Sequence, residues 1–223
     1  MIEIKNLNKI YLKGKKNMVH ALNNINLKID DRETVAIIGE SGAGKSTLLH
    51  IMSCIDNFDG EYYLDNIDIN KLSESKKSKL RSSKIGIVLQ DFALIDDFTV
   101  FENVMTPLYF NKKIKDKKGS VMRALKKTGI VSLKAKKVSQ LSGGQKQRVA
   151  ISRALVTNPE YIFADEPTGS LDSKTSEEIV KMLFDLNRNG ITIIIVTHNL
   201  DIANKCQRVI EIKDGNIIED NCS

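Results

Sequence analysis

Nine consecutive residues carry a pattern that is typical of phosphate binding. They are Gly39, Glu40, Ser41, Gly42, Ala43, Gly44, Lys45, Ser46 and Thr47, of which the first eight fit the spacing G-x-x-x-x-G-K-[ST]. Glycine lets the backbone adopt positive φ, so several N–H groups can turn toward one anion. Lys45 supplies a cation for β- and γ-phosphates, and the Ser46 hydroxyl can bind Mg²⁺. Because the pattern follows a predicted strand and opens a predicted helix, it predicts a nucleoside triphosphate site.

An acidic pair ends another apolar strand. The run Tyr161–Ala164 is followed directly by Asp165 and Glu166. Parallel α/β sheets bind ligands at the carboxyl ends of their strands, so we expect this pair beside the phosphate loop. There Asp165 would hold Mg²⁺ through water, and Glu166 would take the proton of an attacking water. An acidic pair alone usually marks a surface turn, but its occurrence with the phosphate loop favours the catalytic interpretation.

The segment Leu141–Gln145, with the sequence LSGGQ, predicts a second anion site. It opens a predicted helix over Lys146–Leu155, with Ser142 as the N-cap. Its two glycines expose N–H groups at the positive end of that helix. Since the first loop already binds one nucleotide, we expect the second site to act on a nucleotide held by another subunit.

Two single polar residues also follow predicted strands. Gln90 comes after the run Ile85–Leu89, and His198 comes shortly after Ile191–Val196. A lone glutamine or histidine is more often structural. The strand-end positions favour a role near the γ-phosphate for both.

Taken together and in this order, these segments resemble the nucleotide-binding subunits of ATP-binding-cassette (ABC) transporters over essentially the whole chain. Residues 39–47 resemble the Walker A loop, Gln90 the Q-loop and residues 141–145 the signature. Asp165 resembles the Walker B acid, Glu166 the catalytic base and residues 170–172 the D-loop. His198 resembles the switch histidine, and Tyr11 resembles the aromatic residue that stacks on adenine.

The resemblance implies ATP and Mg²⁺ as ligands, with Ser46, Gln90 and Asp165 around the metal. It implies that catalysis rests on Glu166, His198 and Gln90. It further implies a head-to-tail homodimer in the ATP-bound state. Each ATP would lie between one subunit's Walker A loop and the other subunit's signature and D-loop residues, which are Ser142, Gly143, Gly144, Gln145 and Asp172. A transmembrane permease subunit would receive the motion through the helical lobes.

The subfamily follows from a longer match. Residues 164–172, ADEPTGSLD, and residues 99–104, TVFENV, are similar to the macrolide-exporter, lipoprotein-releasing and antimicrobial-peptide-resistance group. That similarity implies export or extraction of a peptide, a lipid-linked compound or a hydrophobic compound. One departure is Val138, at a position where the group often has proline.

These residues must be positioned by an α/β fold. Alternating strand-like and helix-like runs predict a mostly parallel sheet. The resemblance implies a P-loop NTPase core with N-terminal antiparallel β strands and an inserted α-helical subdomain at about residues 92–155, all in one domain over 1–223. Strands are predicted at 2–10, 21–29, 34–38, 85–89, 161–164 and 191–196, helices at 45–54 and 174–187, and a hairpin at 208–219.

Composition limits the remaining choices. The formal net charge is +6, and residues 111–137 hold eleven Lys or Arg and one acid, Asp116. This run predicts either a patch for anionic lipid or nucleic acid, or a solvated helical face, and we favour the solvated face. The run contains no aromatic residue, so nucleic acid is not an expected partner.

Three cysteines without Cys-x-x-Cys spacing indicate neither a disulfide framework nor a zinc site, which fits a reducing cytosol. The start of the chain has no signal-peptide pattern. No apolar run reaches the ~18–20 residues that a membrane span needs. We therefore expect a peripheral protein at the cytoplasmic face of the cell membrane, touching the bilayer only through its partner.

Two other functions stay in view. A soluble ABC protein that acts on ribosomes or DNA is disfavoured, because the chain has one cassette and room only for a compact lobe. A membrane-tethered ATPase that regulates signalling or cell division without transport is the main alternative. For the apolar segment Phe92–Leu108, two interpretations compete: a groove for a short helix of the membrane partner, or the core of the helical lobe.

Overall fold

The computed structural model describes residues 1–15, 17–111 and 113–222. Lys112, one of the basic residues of the run at 111–137, lies outside the described residues, as do Lys16 and Ser223. The chain divides into two compact units: unit 1 contains residues 1–78 and 192–223, and unit 2 contains residues 79–191.

The strands of the described residues are β1 (Ile2–Tyr11), β2 (Val19–Ile29), β3 (Thr34–Ile38), β4 (Asp59–Leu64), β5 (Ile67–Asp68), β6 (Ile85–Val88), β7 (Tyr161–Asp165), β8 (Thr192–Val196), β9 (Arg208–Lys213) and β10 (Asn216–Cys222). The α-helices are α1 (Lys45–Met52), α2 (Glu74–Lys84), α3 (Val100–Phe110), α4 (Lys117–Lys127), α5 (Gly143–Leu155), α6 (Ser173–Arg188) and α7 (Leu200–Ala203). Short 3₁₀ turns occupy Ile69–Lys71, Val131–Leu133 and Val138–Gln140.

Unit 1 begins with an antiparallel sheet in the order β2-β1-β4-β5. Alternating residues of β1, among them Ile2 and Ile4, are buried, and they stand opposite Ile29 and Leu27 of β2. This alternation is what a sheet with one buried face requires. The predicted N-terminal antiparallel strands are therefore confirmed.

Parallel strands follow in the same unit. β3 lies between β8 and β9 and pairs with both in parallel, while β10 returns antiparallel to β9. Every residue of β8 is buried, which suits the run of β-branched side chains it contains. Asp214 and Gly215 both have positive φ, so the predicted turn joins β9 to β10 as a tight hairpin.

Unit 2 is built around α5. This helix packs against α3, α4, α6 and β6, and its buried face includes Val149, Ala150 and Ile151. β6 pairs with β7 in parallel, with Ile85 opposite Tyr161 and Val88 opposite Ala164. The helical subdomain predicted at about residues 92–155 contains α3, α4, α5 and two of the 3₁₀ turns.

Polar caps fix where the helices of unit 2 begin. Thr99 and Glu102 form a reciprocal capping box at the start of α3, with N···O distances of 3.2 and 2.8 Å. Asp116 caps α4 by accepting from the Gly119 N–H at 2.9 Å.

The predicted fold class is confirmed, with shifts of a few residues at element ends. The helix expected from Lys146 begins three residues earlier, at Gly143, because Ser142 and Gln145 cap it there. In the part of the chain that the structure describes, no helix combines the length and the apolar character needed to cross a bilayer.

Candidate functional site

The phosphate loop of unit 1 needs its glycines for two different reasons. Gly39, Gly42 and Gly44 all have positive φ, at 143°, 82° and 105°. A Cβ at Gly39 would collide with the backbone oxygen of Ile212, and one at Gly44 with that of Ala21, so these two glycines let neighbouring strands approach. At Gly42 a Cβ would meet nothing within 4 Å. The loop is therefore open at Gly42, where a ligand can come close to the backbone.

Lys45 is anchored over this loop. Its ammonium group donates to the carbonyl oxygens of Gly39 at 2.9 Å and Glu40 at 2.7 Å. Lys45 is also the first residue of α1, whose N-cap Gly44 provides no side-chain acceptor for the helix N–H groups. A fixed cation beside an uncapped helix N-terminus suits a phosphate group, so the residues present fit a bound nucleotide.

His198 lies at the same edge of unit 1. Ile37 of β3 stands opposite Val196 of β8, so both parallel strands end at one level. The phosphate loop starts at Gly39, after β3, and the exposed His198 comes two residues after β8. The strand register thus places His198 at the same edge of the sheet as the start of the phosphate loop, and its role at the γ-phosphate stays a prediction.

Unit 2 gathers a second set of predicted residues at the ends of β6 and β7. Asp165 is the last residue of β7, and Gln90 lies two residues beyond β6. A Cβ at Gly169 would lie 3.6 Å from both the Gln90 amide nitrogen and the Glu166 Cβ. Gln90, Glu166 and the turn before the D-loop are therefore neighbours.

Glu166 has a strained backbone. Its φ is +43°, a left-handed conformation that is uncommon for a side chain of this kind. Such conformations cost of order 1–3 kcal/mol and cluster at functional sites. The strain sits at the residue for which sequence predicts the catalytic base.

The signature segment forms the N-terminus of α5. Ser142 and Gln145 make a capping box, with Gln145 N–H to Ser142 Oγ at 3.4 Å and Ser142 N–H to Gln145 Oε1 at 3.1 Å. Ser142 and Gly143 are exposed. This leaves the positive end of a 13-residue helix accessible to an anion.

The signature and the D-loop also touch each other. A Cβ at Gly144 would collide with the methyl group of Thr175, and one at Gly143 would lie 3.4 Å from Leu171. Asp172 caps α6 by accepting from the Thr175 N–H at 2.9 Å and from its hydroxyl at 2.7 Å. These hydrogen bonds from Thr175 lower the pKa of Asp172. Gly144 is thus needed for packing, whatever it contacts in a partner.

One residue near the Q-loop was missed by sequence reasoning. Arg153 of α5 donates to the carbonyl oxygens of Phe92, at 2.8 Å, and Ala93. Phe92 and Ala93 have φ of +62° and +45°, so two consecutive left-handed residues are held by one guanidinium. No local pattern singles out an arginine in the middle of a helix, because its acceptors lie sixty residues away.

Tyr11 of unit 1 is partly exposed at the end of β1, where its ring is accessible. Its hydroxyl donates to Asp56 Oδ2 at 2.6 Å. The resemblance implies that Tyr11 stacks on adenine, and it gave no sign of Asp56 as a hydrogen-bond partner.

A family profile described as ABC transporter matches residues 22–169. The chain belongs to this family. As an ABC protein it is an ATPase that uses ATP with Mg²⁺, which confirms that prediction from the sequence.

Full-length relatives agree. This ABC protein is 44% identical over 222 residues to "Uncharacterized ABC transporter ATP-binding protein YvrO" of Bacillus subtilis, covering 99% of this chain and 96% of the relative. It is 45% identical over 222 residues to "Macrolide export ATP-binding/permease protein MacB" of Mannheimia succiniciproducens. That match covers 99% of this chain but 34% of the relative, so the ABC protein spans about a third of MacB.

A solved structure has the same fold. The dimeric post-hydrolysis state of the ATP-binding cassette MJ0796, bound to ADP and Pi, superposes with a TM-score of 0.92 and 42% identity. The alignment covers 100% of this chain and 98% of that one. MJ0796 is a protein of Methanocaldococcus jannaschii.

Proposed function

We propose that this ABC protein is the ATP-hydrolysing subunit of an exporter or extractor of peptide, lipid-linked or hydrophobic compounds. It acts as a head-to-tail homodimer with two ATP molecules between the subunits. The dimer drives a separate transmembrane permease from the cytoplasmic face of the cell membrane, where it is a peripheral protein.

One observation supports the head-to-tail dimer: a single chain has two helix N-termini that are suited to phosphate. The first, at α1, has its own loop and its own lysine. The second, at α5, presents exposed Ser142 and Gly143 but has no such loop. A nucleotide held by another copy of the chain gives the second N-terminus a ligand and pairs each Walker A loop with a signature.

The catalytic roles follow from chemistry at each position. Glu166 accepts the proton of the attacking water, and Gln90 and His198 hold the water and the γ-phosphate in line. Lys45 balances charge on the β- and γ-phosphates. Ser46, Gln90 and Asp165 supply the oxygen donors that Mg²⁺ prefers. When bound, Mg²⁺ neutralises phosphate charge that develops during hydrolysis.

The export role is supported by relatives. MacB is described as a macrolide export protein that is both ATP-binding and permease. MJ0796 is described as dimeric. This ABC protein matches about a third of MacB at 45% identity, so we assign it a transmembrane partner and the same direction of work.

A mixing experiment tests the proposal. Lys45→Ala removes the cation of the Walker A loop, and Ser142→Arg places a bulky cation at the signature. Each variant alone should lack ATPase activity, the first because it no longer binds ATP and the second because it no longer dimerises. In a head-to-tail dimer of one copy of each, both defects fall in the same site and the other site stays intact.

The two variants, carrying different affinity tags, should therefore associate in the presence of ATP. Two differently tagged copies of Lys45→Ala are the matched control and should stay apart. Absence of ATP-dependent association between Lys45→Ala and Ser142→Arg would contradict the head-to-tail sandwich.

A further inference from the structure

Three side chains of unit 1 form a closed set of contacts around the exposed ring of Tyr11. Asp56 accepts from the Tyr11 hydroxyl through Oδ2 at 2.6 Å and from the Lys9 ammonium through Oδ1 at 2.6 Å. The same ammonium lies 4.7 Å from the centroid of the Tyr11 ring and donates to the Asn57 carbonyl at 2.6 Å. The two oxygens of one carboxylate therefore bind Tyr11 and Lys9, and those two side chains touch each other; Oδ1 also accepts from the Asn57 N–H at 2.8 Å.

Local structure explains why these residues meet. Lys9 and Tyr11 are two apart on β1, so both side chains leave the same face of the strand. Asp56 comes four residues after the end of α1, and its N–H donates to the His50 carbonyl of that helix at 3.3 Å. Asp56, whose carboxylate binds Tyr11, is therefore connected to α1, the helix that follows the phosphate loop.

The other end of that helix also contacts Tyr11. The hydroxyl of Thr47, in the first turn of α1, lies close to the Tyr11 hydroxyl and acts to lower the pKa of Tyr11. Tyr11 therefore lies beside the first turn of α1 and is hydrogen-bonded to Asp56, just beyond the end of that helix. A ring fixed in this way keeps its plane relative to the phosphate loop.

We propose that Asp56 and Lys9 are positioning residues that hold the Tyr11 ring in place for the nucleotide base. This inference rests on the proposed role of Tyr11 in stacking on adenine. Asp56 and Lys9 act through the ring and do not touch the nucleotide. Lys9 covers one face of the ring by a cation–π contact and leaves the other face to the base. A ring that is already ordered loses less side-chain entropy when the base binds.

The charge pattern agrees with a tight contact. Burial alone would raise the pKa of Asp56, but hydrogen bonds from Lys9 and Tyr11 outweigh burial, and the pKa is lowered. The pKa of Tyr11 is raised, first by burial and then by its hydrogen bond to Asp56. At neutral pH the carboxylate is therefore charged and the phenol keeps the proton that it donates.

The test compares two ligands, ATP and inorganic tripolyphosphate, which carries no base. Affinities are measured by calorimetry for the wild type and for Tyr11→Ala, Tyr11→Phe, Asp56→Ala and Asp56→Asn, with a melting curve for each. Asp59→Ala is the matched control, because Asp59 is an exposed carboxylate nearby that pairs with Lys13 at 3.7 Å.

Tyr11→Ala should weaken ATP by about 5- to 150-fold, the range for aromatic–base stacking, and leave tripolyphosphate unchanged. Asp56→Ala should weaken ATP by about 2- to 10-fold, as expected for one hydrogen bond, again with tripolyphosphate unchanged. Asp56→Asn keeps an acceptor for the Tyr11 hydroxyl and should lie closer to the wild type. Asp59→Ala should bind both ligands normally.

A double-mutant cycle separates positioning from general damage. Tyr11→Phe keeps the ring but removes the hydroxyl that Asp56 holds, so the Tyr11→Phe, Asp56→Ala double variant should lose less than the product of the two single losses. Equal loss of ATP and tripolyphosphate in Asp56→Ala, or normal ATP binding there while Tyr11→Ala is weak, would overturn the positioning role. Normal ATP binding by Tyr11→Ala would instead show that the adenine role itself is wrong.

Discussion

A methyl group added at position 144 would meet Thr175 across the contact between α5 and α6. The Cβ of an alanine at position 144 would be much closer to the Thr175 Cγ2 than two carbon atoms normally approach each other. The same Cβ would lie 3.7 Å from the Thr175 Cβ and Oγ1, which is ordinary contact. The clash therefore involves one methyl group, and Thr175→Ser removes it.

The size of the effect follows from this geometry. Extra methyl groups forced into packed sites cost about 1–3 kcal/mol. In a chain of this length that corresponds to a fall of about 2–12 °C in melting temperature for Gly144→Ala. Serine at 175 retains a hydroxyl for the bond to Asp172, so the Gly144→Ala, Thr175→Ser double variant should recover to within about 1 kcal/mol of Thr175→Ser alone.

Thermal and urea unfolding measure these differences directly. Gly143→Ala is the matched control, since a Cβ at that position lies at 3.4 Å from Leu171 and should change stability little. A wild-type melting temperature for Gly144→Ala, or no rescue by Thr175→Ser, would refute the packing argument. If stability returns in the double variant but ATPase activity does not, Gly144 is also needed by the nucleotide.

Two further predictions concern the Q-loop and the segment after it. Arg153→Met keeps an unbranched stem but removes the donors to Phe92 and Ala93; it should cost about 1.5–3 kcal/mol in urea unfolding and lower ATPase activity, whereas an unchanged urea midpoint would contradict the role of Arg153. Phe98, 41% exposed, should tolerate Phe98→Glu with fold and ATP binding preserved while the permease no longer co-purifies, and intact co-purification would rule out docking there. Val104→Glu is the contrasting variant, because Val104 is fully buried and a charge there should unfold the protein.

The sequence alone was enough to predict candidate site residues wherever the signal is local. The phosphate loop, the acidic pair and the signature each combine glycine or carboxylate residues with a strand or helix end. The structure shows the same ends, at β3, β7 and α5. A strand or helix end next to glycine or carboxylate residues can be recognised from neighbouring residues alone, so it can be predicted from the sequence.

Contacts between distant residues could not be predicted in this way. Three contacts depend on side chains that the fold brings together. They are the close approach of Thr175 to Gly144, the hydrogen bond from Tyr11 to Asp56 and the hydrogen bond from Arg153 to the Phe92 carbonyl. In the segment 92–108, each of the two interpretations fits a different set of residues. Val100, Val104 and Leu108 form core, whereas Ile95 and Phe98 remain exposed. Sequence periodicity alone did not separate them, because both sets are apolar.

We expect the chain to hydrolyse ATP within a dimer that ATP itself assembles. Glu166→Gln keeps the size of the side chain and removes its basicity, which should lower ATP turnover by about 10²–10⁴-fold. With hydrolysis blocked, the variant should bind ATP and elute as a dimer in light-scattering chromatography, while the same sample without nucleotide should elute as a smaller species. Near-normal turnover, or a variant that binds ATP and shows no nucleotide-dependent dimer, would contradict the account.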